Sequence, residues 1–255
     1  MTVHFVGAGP GASDLITLRG LNLLANADIV IYAGSLVNPD LLDSVRPDAR
    51  LYDSSRMTLD EVLAVITEAE VSGRTTVRLH SGDPSLYGAV HEQMRALDRL
   101  DIEYDVCPGV SSFSAAAAAL RIEYTVPEVT QSLVLTRMPG RTPMPQGETV
   151  SGFAQHGSSM VIFLSTGLLD GLTEQLISGG RCSEDPAAIA YKASWPDEQV
   201  LLCTIGTLSS TAREHGIAST ALIIVGPCLE DHATFSRLYA EDFSTGLRPG
   251  TVGPS

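Results

Sequence analysis

Short β-branched and apolar runs at residues 3–6, 29–32 and 75–79 each stop at a segment rich in Gly, Pro or Ser. After the first run, Leu15, Leu18, Leu21 and Leu24 recur on one helical face, so Ser13 or Asp14 is expected to cap a helix running to about Ala27. Thr58 is expected to cap another helix that continues to about Val71 and ends at Gly73. The run at 75–79 breaks at Ser81-Gly82-Asp83-Pro84-Ser85-Leu86-Tyr87-Gly88 before a helix to about Leu100. A strand at 103–106 breaks at Cys107-Pro108-Gly109-Val110-Ser111-Ser112, where an alanine-rich helix begins. Strand, loop and helix in that order are the grammar of a parallel sheet whose ligand loops lie at the carboxyl ends of its strands. The segment at 33–38 is a loop before a short helix, and 51–53 is a minor extended piece.

Beyond Tyr124 the pattern changes. Strands are expected at 131–136, 159–165, 187–191, 199–205 and 220–225, with helices near 148–156, 168–178 and 209–215. The two strands joined by KASWPDE are spaced as an antiparallel pair. The chain therefore reads as α/β with two α/β domains: residues 1–122 around a parallel sheet and residues 123–230 around a mixed sheet. Residues 231–255 are expected to form a helix turn and a loose tail.

Charge and composition narrow the function. The 255 residues carry a formal net charge of −14, which argues against nucleic acid and anionic membranes as partners. No apolar run approaches the roughly 18 residues that span a bilayer, and no leader pattern opens the chain, so a cytoplasmic protein is expected. Cys107, Cys182, Cys203 and Cys228 are scattered without a C-x-x-C pair, which argues for buried reduced thiols and no metal site. Lys192 is the single lysine among sixteen basic side chains.

The chemistry concentrates in the first loop. Gly7-Ala8-Gly9-Pro10-Gly11-Ala12 satisfies G-x-G-x-x-G/A, the dinucleotide fingerprint. Two features argue against that reading. Pro10 removes an N–H from the turn that would face a pyrophosphate. The strand at 29–32 ends in Ala33-Gly34-Ser35, with no acid to hold a ribose hydroxyl, and Asp28 lies at its other end. The loop suits a ligand that needs close backbone approach, but not NAD.

GAGPG at 7–11, SGDPSLYG at 81–88, CPGVSS at 107–112, YKASWPDE at 191–198 and TALIIVG at 220–226 together resemble the tetrapyrrole methyltransferases. That resemblance implies S-adenosylmethionine as methyl donor, S-adenosylhomocysteine as product, a tetrapyrrole substrate, a homodimer, and an active site in the cleft between two domains. Within the family, YAGSLVNP at 32–39 and SLVLTRMPGRTPMP at 132–145 resemble the branch that methylates carbon 11 of precorrin-4 on the way to cobalamin. Methylation at carbon 17 or 20, a cobalt-containing substrate, and a non-catalytic sensor of the same ligands stay open.

Residue by residue, the resemblance implies that Pro10, Gly82, Asp83, Tyr87, Ser111, Ser112, Leu164, Tyr191, Ala193, Ala221 and Leu222 contact the cofactor. It implies that Gly9 and Gly11 border the substrate. Leu164 stands where relatives often have methionine, a change that keeps the volume. Arg137 and Arg141, in a proline-stiffened loop, are candidates for gripping the substrate's carboxylates, with Arg56 and Arg121 behind them. Methyl transfer from a sulfonium is a matter of positioning in a dry site, so no catalytic triad or carboxylate pair is expected, and a general base stays open. His80, beside SGDP, is expected to be packing, and the other histidines are assigned no role.

Overall fold

The computed structural model describes residues 2–232, 234 and 236–251. Two compact units divide the chain, one made of Met1–Leu120 with Ala190–Val200 and the other of Arg121–Ile189 with Leu201–Ser255.

In the first unit, β1 (Val3–Gly7), β2 (Ile29–Tyr32), β3 (Arg50–Asp53), β4 (Thr76–His80) and β5 (Tyr104–Cys107) form one sheet in the order β3-β2-β4-β1-β5. Every pairing is parallel. The piece expected at 51–53 is thus an edge strand. The helices are α1 (Leu18–Asn26), α2 (Leu59–Val71), α3 (Val90–Arg99) and α4 (Ser112–Leu120). A parallel sheet buries both faces, and alternate residues divide accordingly. Val6, Val30, Val77 and Leu79 pack with Leu24 of α1, while Phe5, Ile29 and Ile31 pack with Ile66 of α2 and Leu97 of α3. Burying each such side chain contributes about 1.5–3 kcal/mol.

Thr58 closes a capping box with Glu61, as its position before α2 predicts. The first helix departs from the expectation. Residues Ser13–Leu15 make one 3-10 turn, Ile16 is extended, and Thr17, not Ser13 or Asp14, caps α1 through Gly20 N–H at 3.1 Å. The cause is local crowding: the Leu15 carbonyl lies 2.9 Å from where a Cβ of Gly9 would stand, so the chain folds back on the glycine loop before a helix can start.

The second sheet runs β6-β7-β10-β8-β9, from β6 (Leu133–Arg137), β7 (Ser159–Phe163), β8 (Pro186–Tyr191), β9 (Gln199–Thr204) and β10 (Ala221–Val225). It is mixed, because β6 and β7 are parallel whereas β7 and β10 are antiparallel. Its helices are α5 (Val150–Ala154), α6 (Leu169–Ser178) and α7 (Leu208–Glu214). Helix α5 is shorter than the expected 148–156 because Thr149 caps it late, accepting from Gly152 N–H, and the chain turns at Gly157, whose φ is +69°. In the tail a 3-10 turn forms at Arg237–Tyr239, and Ala233, Phe235 and 252–255 lie outside the described residues. All four cysteines are free, but only Cys107 and Cys228 are buried, and Cys182 is exposed on a turn.

Candidate active site

Three loops meet at the carboxyl edge of the first sheet because β1 lies between β4 and β5. They meet backbone to backbone. A Cβ on Gly7 would stand 2.6 Å from Gly109 N and 2.7 Å from the Gly82 carbonyl, and one on Gly109 would collide with that carbonyl. Gly9 and Gly82 hold each other through reciprocal hydrogen bonds, Gly82 N–H to Gly9 O at 2.8 Å and Gly9 N–H to Gly82 O at 3.2 Å. Both have positive φ, +82° and +63°. The glycines that sequence alone assigns to a ligand's approach thus first let three strand ends touch one another.

Asp83 fastens the cluster. One carboxylate oxygen accepts from Gly109 N–H at 2.8 Å, and the other accepts from Ser85 N–H at 2.9 Å and from the Ser85 hydroxyl. Partial burial pushes its pKa up, but these donors outweigh it and hold the carboxyl below its ordinary value. Ser111 is buried, and Ser112 opens α4, whose leading N–H groups favour an anion. Tyr87 is partly exposed with φ +56°.

Two residues to which the sequence reading gives no role shape the neighbouring loops. Buried Asn38 donates from Nδ2 to the Gly11 carbonyl at 2.9 Å, while its Oδ1 accepts from Asp40 N–H. The acid missing from Ala33-Gly34-Ser35 arrives from the adjacent strand. Asp53 accepts from Gly34 N–H at 3.0 Å and from Ser55 N–H at 2.9 Å, and a Cβ on Gly34 would strike its carboxylate. The Ser55 hydrogen bonds, chiefly, keep Asp53 ionised to lower pH than usual.

The segment Ala190–Val200, which carries KASWPDE, packs on the same loop. The indole N–H of Trp195 donates to the Pro10 carbonyl at 3.0 Å, and Ser194 Oγ accepts from Ala12 N–H at 3.0 Å. The Trp195 ring covers Gly11 so closely that any Cβ there would overlap it. Lys192 pairs with Asp197 at 2.6 Å and stands 5.3 Å from the Tyr191 ring centroid and 5.7 Å from that of Trp195. Ala193 is buried between these contacts. Pro10, Gly9, Gly11, Gly82, Asp83 and Ala193 therefore belong to one connected structure, and Trp195, the chain's only tryptophan, is a member of it that the motif reading passes over.

In the second unit, Leu164, Ala221 and Leu222 lie at one edge of the sheet. Thr166 Oγ1 donates to the Ala221 carbonyl at 3.1 Å, and Ser165 Oγ accepts from Met138 N–H at 2.8 Å. Leu164 is 66% exposed with φ +52°, a strained conformation for leucine. Arg137 spends its guanidinium on its own loop, donating to the carbonyls of Met138, Thr142 and Pro143 at 3.1, 3.2 and 2.9 Å. Arg141 is exposed and makes no hydrogen bond or ion pair among the described residues. His80 is 4% exposed, and burial together with the nearby Arg78 lowers its pKa to about 3, so it is neutral packing. Among the described residues no three His, Cys, Asp or Glu side chains could share a metal ion, and no helix is long and apolar enough to cross a membrane.

These loops are joined backbone to backbone, with Asp83 fastening them, and comparison with known proteins places the chain in a known family. It is a member of the tetrapyrrole (corrin/porphyrin) methylases, whose family model matches residues 2–209. It is 44% identical over 247 residues to the cobalt-precorrin-4 C(11)-methyltransferase of Methanocaldococcus jannaschii, covering 96% of this chain and 95% of that one. It is 50% identical over 233 residues to a precorrin-4 C(11)-methyltransferase from a Sinorhizobium species, covering 90% and 91%. Among solved structures, the cobalt precorrin-4 methyltransferase CbiF matches with a TM-score of 0.88 at 40% identity, over 90% of this chain and 96% of that chain. The α/β fold expected from the sequence, with one parallel and one mixed sheet, is the fold of that structure.

Proposed function

We propose that the protein transfers the methyl group of S-adenosylmethionine to carbon 11 of precorrin-4, giving precorrin-5 and S-adenosylhomocysteine in cobalamin biosynthesis. The observation that carries this reading is near-full-length identity to two enzymes named for that position of the macrocycle. When bound, S-adenosylmethionine supplies an electrophilic methyl on a sulfonium, whose C–S electron pair returns to sulfur as the new C–C bond forms.

The chain's own part is to hold and to orient. The residues fit an amino-acid end: a Cβ on Gly82 would have nothing nearer than Ser112 N at 3.6 Å, which leaves backbone N–H groups reachable. Gly82, Tyr87, Ser111 and Ser112 receive that end, and ionised Asp83 has lone pairs left for its ammonium group. Pro10, with its carbonyl fixed by Trp195, borders the methyl donor, and Gly9 and Gly11 border the macrocycle. Tyr191, Ala193, Leu164, Ala221 and Leu222 take the adenosine. Arg141 grips an acetate or propionate arm, and Arg137 braces the loop that presents it. Water exclusion and alignment at about 3 Å separation supply the rate.

Incubation with precorrin-4 and methyl-13C S-adenosylmethionine tests the reaction. Carbon NMR is expected to place the label on carbon 11, and a label on carbon 17 or 20, or none, refutes the assignment. A second reading, a cobalt-containing substrate, is favoured by the name of the Methanocaldococcus relative, and kcat/KM measured with both forms decides between them. We also propose a cytoplasmic homodimer that covers apolar residues such as Leu202, which is 72% exposed on β9. A monomer mass at all concentrations in sedimentation would refute the dimer.

A further inference from the structure

Arg78 is a charge in an apolar place. It lies on β4, the central strand of the first sheet, next to Phe5 and Ile31 on the neighbouring strands, and is 7% exposed. No carboxylate lies within ion-pair distance of it among the described residues; its three hydrogen bonds go to neutral acceptors. Nε donates to Gln93 Oε1 at 3.0 Å, and Nη1 donates to the carbonyls of Ile31 at 3.1 Å and Leu79 at 3.4 Å. Burial lowers its pKa only to about 10, so it is charged at neutral pH. Its burial without a counter-charge carries a desolvation cost that these three hydrogen bonds offset in part.

The acceptors stand where the ligand loops begin. Ile31 precedes the loop at 33–38, and Leu79 precedes SGDP. Gln93 donates in turn to the carbonyl of Ala89, a residue at φ +49° that ends the SLYG loop and opens α3. Two residues along β4, His80 Nε2 is buried with no hydrogen-bond partner among the described residues. The strand end is therefore short of a counter-charge and leaves one buried ring nitrogen unpaired.

We propose that Arg78 is a positioning residue that clamps these three loop origins together, and that a ligand carboxylate arriving at the strand ends answers its uncompensated charge. The inference rests on the cofactor reading above. Two ligand groups share that chemistry, the amino-acid carboxylate of the cofactor and an acetate or propionate arm of the macrocycle.

Calorimetric titration of wild type, Arg78→Met and Arg78→Lys with S-adenosylhomocysteine and with 5′-methylthioadenosine tests the inference, because only the first ligand carries the carboxylate. In Arg78→Met, S-adenosylhomocysteine is expected to bind about tenfold more weakly and methylthioadenosine within about twofold of wild type. Arg78→Lys, which keeps the charge without the fork, is expected to lie between the two, and it stands in if the methionine variant does not fold. A raised KM for precorrin-4 with both nucleosides binding as in wild type assigns the charge to a substrate arm. Equal losses for both nucleosides, or no change in binding or KM, overturn the proposal and reduce Arg78 to a structural role. A wild-type protein that binds neither nucleoside overturns the cofactor reading itself and this assignment with it.

Discussion

The glycines of the first unit's ligand loops and those of the second unit's proline-rich loop look alike in sequence and differ in kind. Gly7 and Gly109 have backbone where a Cβ would stand, whereas Gly140 would meet only Leu168 Cδ1 at 3.9 Å and Gly147 would meet nothing within 4 Å. One set is fixed by mutual contact, and the other lies in a loop shaped by the Arg137 guanidinium. The difference separates two kinds of loop: under the proposed function, the locked backbone would pre-organise the cofactor site, and the open arginine-bearing loop would meet the substrate.

The contrast can be broken most severely at Gly109. Gly109→Ala forces the three strand ends apart and is expected to cost more than about 3 kcal/mol in urea unfolding, with ligand binding lost. If it folds and binds normally, the lock is not needed.

Acid is expected to weaken the first unit through His80. Its folded pKa of about 3 lies below the ordinary 6.5, so the unfolded chain takes up the proton first. Stability is fully present above 6.5 and falls by about 1.4 kcal/mol per pH unit below it. Urea midpoints measured from pH 7 to pH 5 should show that slope in wild type, and His80→Phe should lack this share of it.

A smaller effect is expected at the strap. Trp195→Phe removes the bond to the Pro10 carbonyl, which should cost about 1 kcal/mol and leave the ring's cover over Gly11 largely in place. Smallest of all, Gly140→Ala should change stability by less than about 0.5 kcal/mol. A large loss there would mean that the second loop is as tightly locked as the first.

Much of this was legible in the sequence, for stated reasons. Apolar runs ending in Gly/Pro loops marked the parallel sheet and the loops at its carboxyl edge, because both rest on local periodicity and turn chemistry. Asn38, Asp53 and Arg78 were not legible. Each acts on backbone distant in sequence: Asn38 reaches the Gly11 carbonyl from another loop, and only pairing of β2 with β3 and β4 brings Asp53 to Gly34 and Arg78 to Ile31. Arg137 shows a role its residue type did not signal: besides the substrate grip expected of it, it donates to three carbonyls of its own loop. Thr17 took the cap expected of Ser13 or Asp14 because the Gly9 loop claims the space before it.

The claim that the first unit's locked loops form the methyl-donor site is tested most directly by titrating S-adenosylhomocysteine into wild type, with calorimetry and Trp195 fluorescence followed together. Trp195 is the sole tryptophan and its indole N–H is bonded to Pro10, so its emission reports on that loop alone. The account predicts binding at micromolar concentration or tighter, with a change in emission that saturates at the same stoichiometry as the heat. Absence of binding, or binding that leaves Trp195 emission untouched, would contradict it.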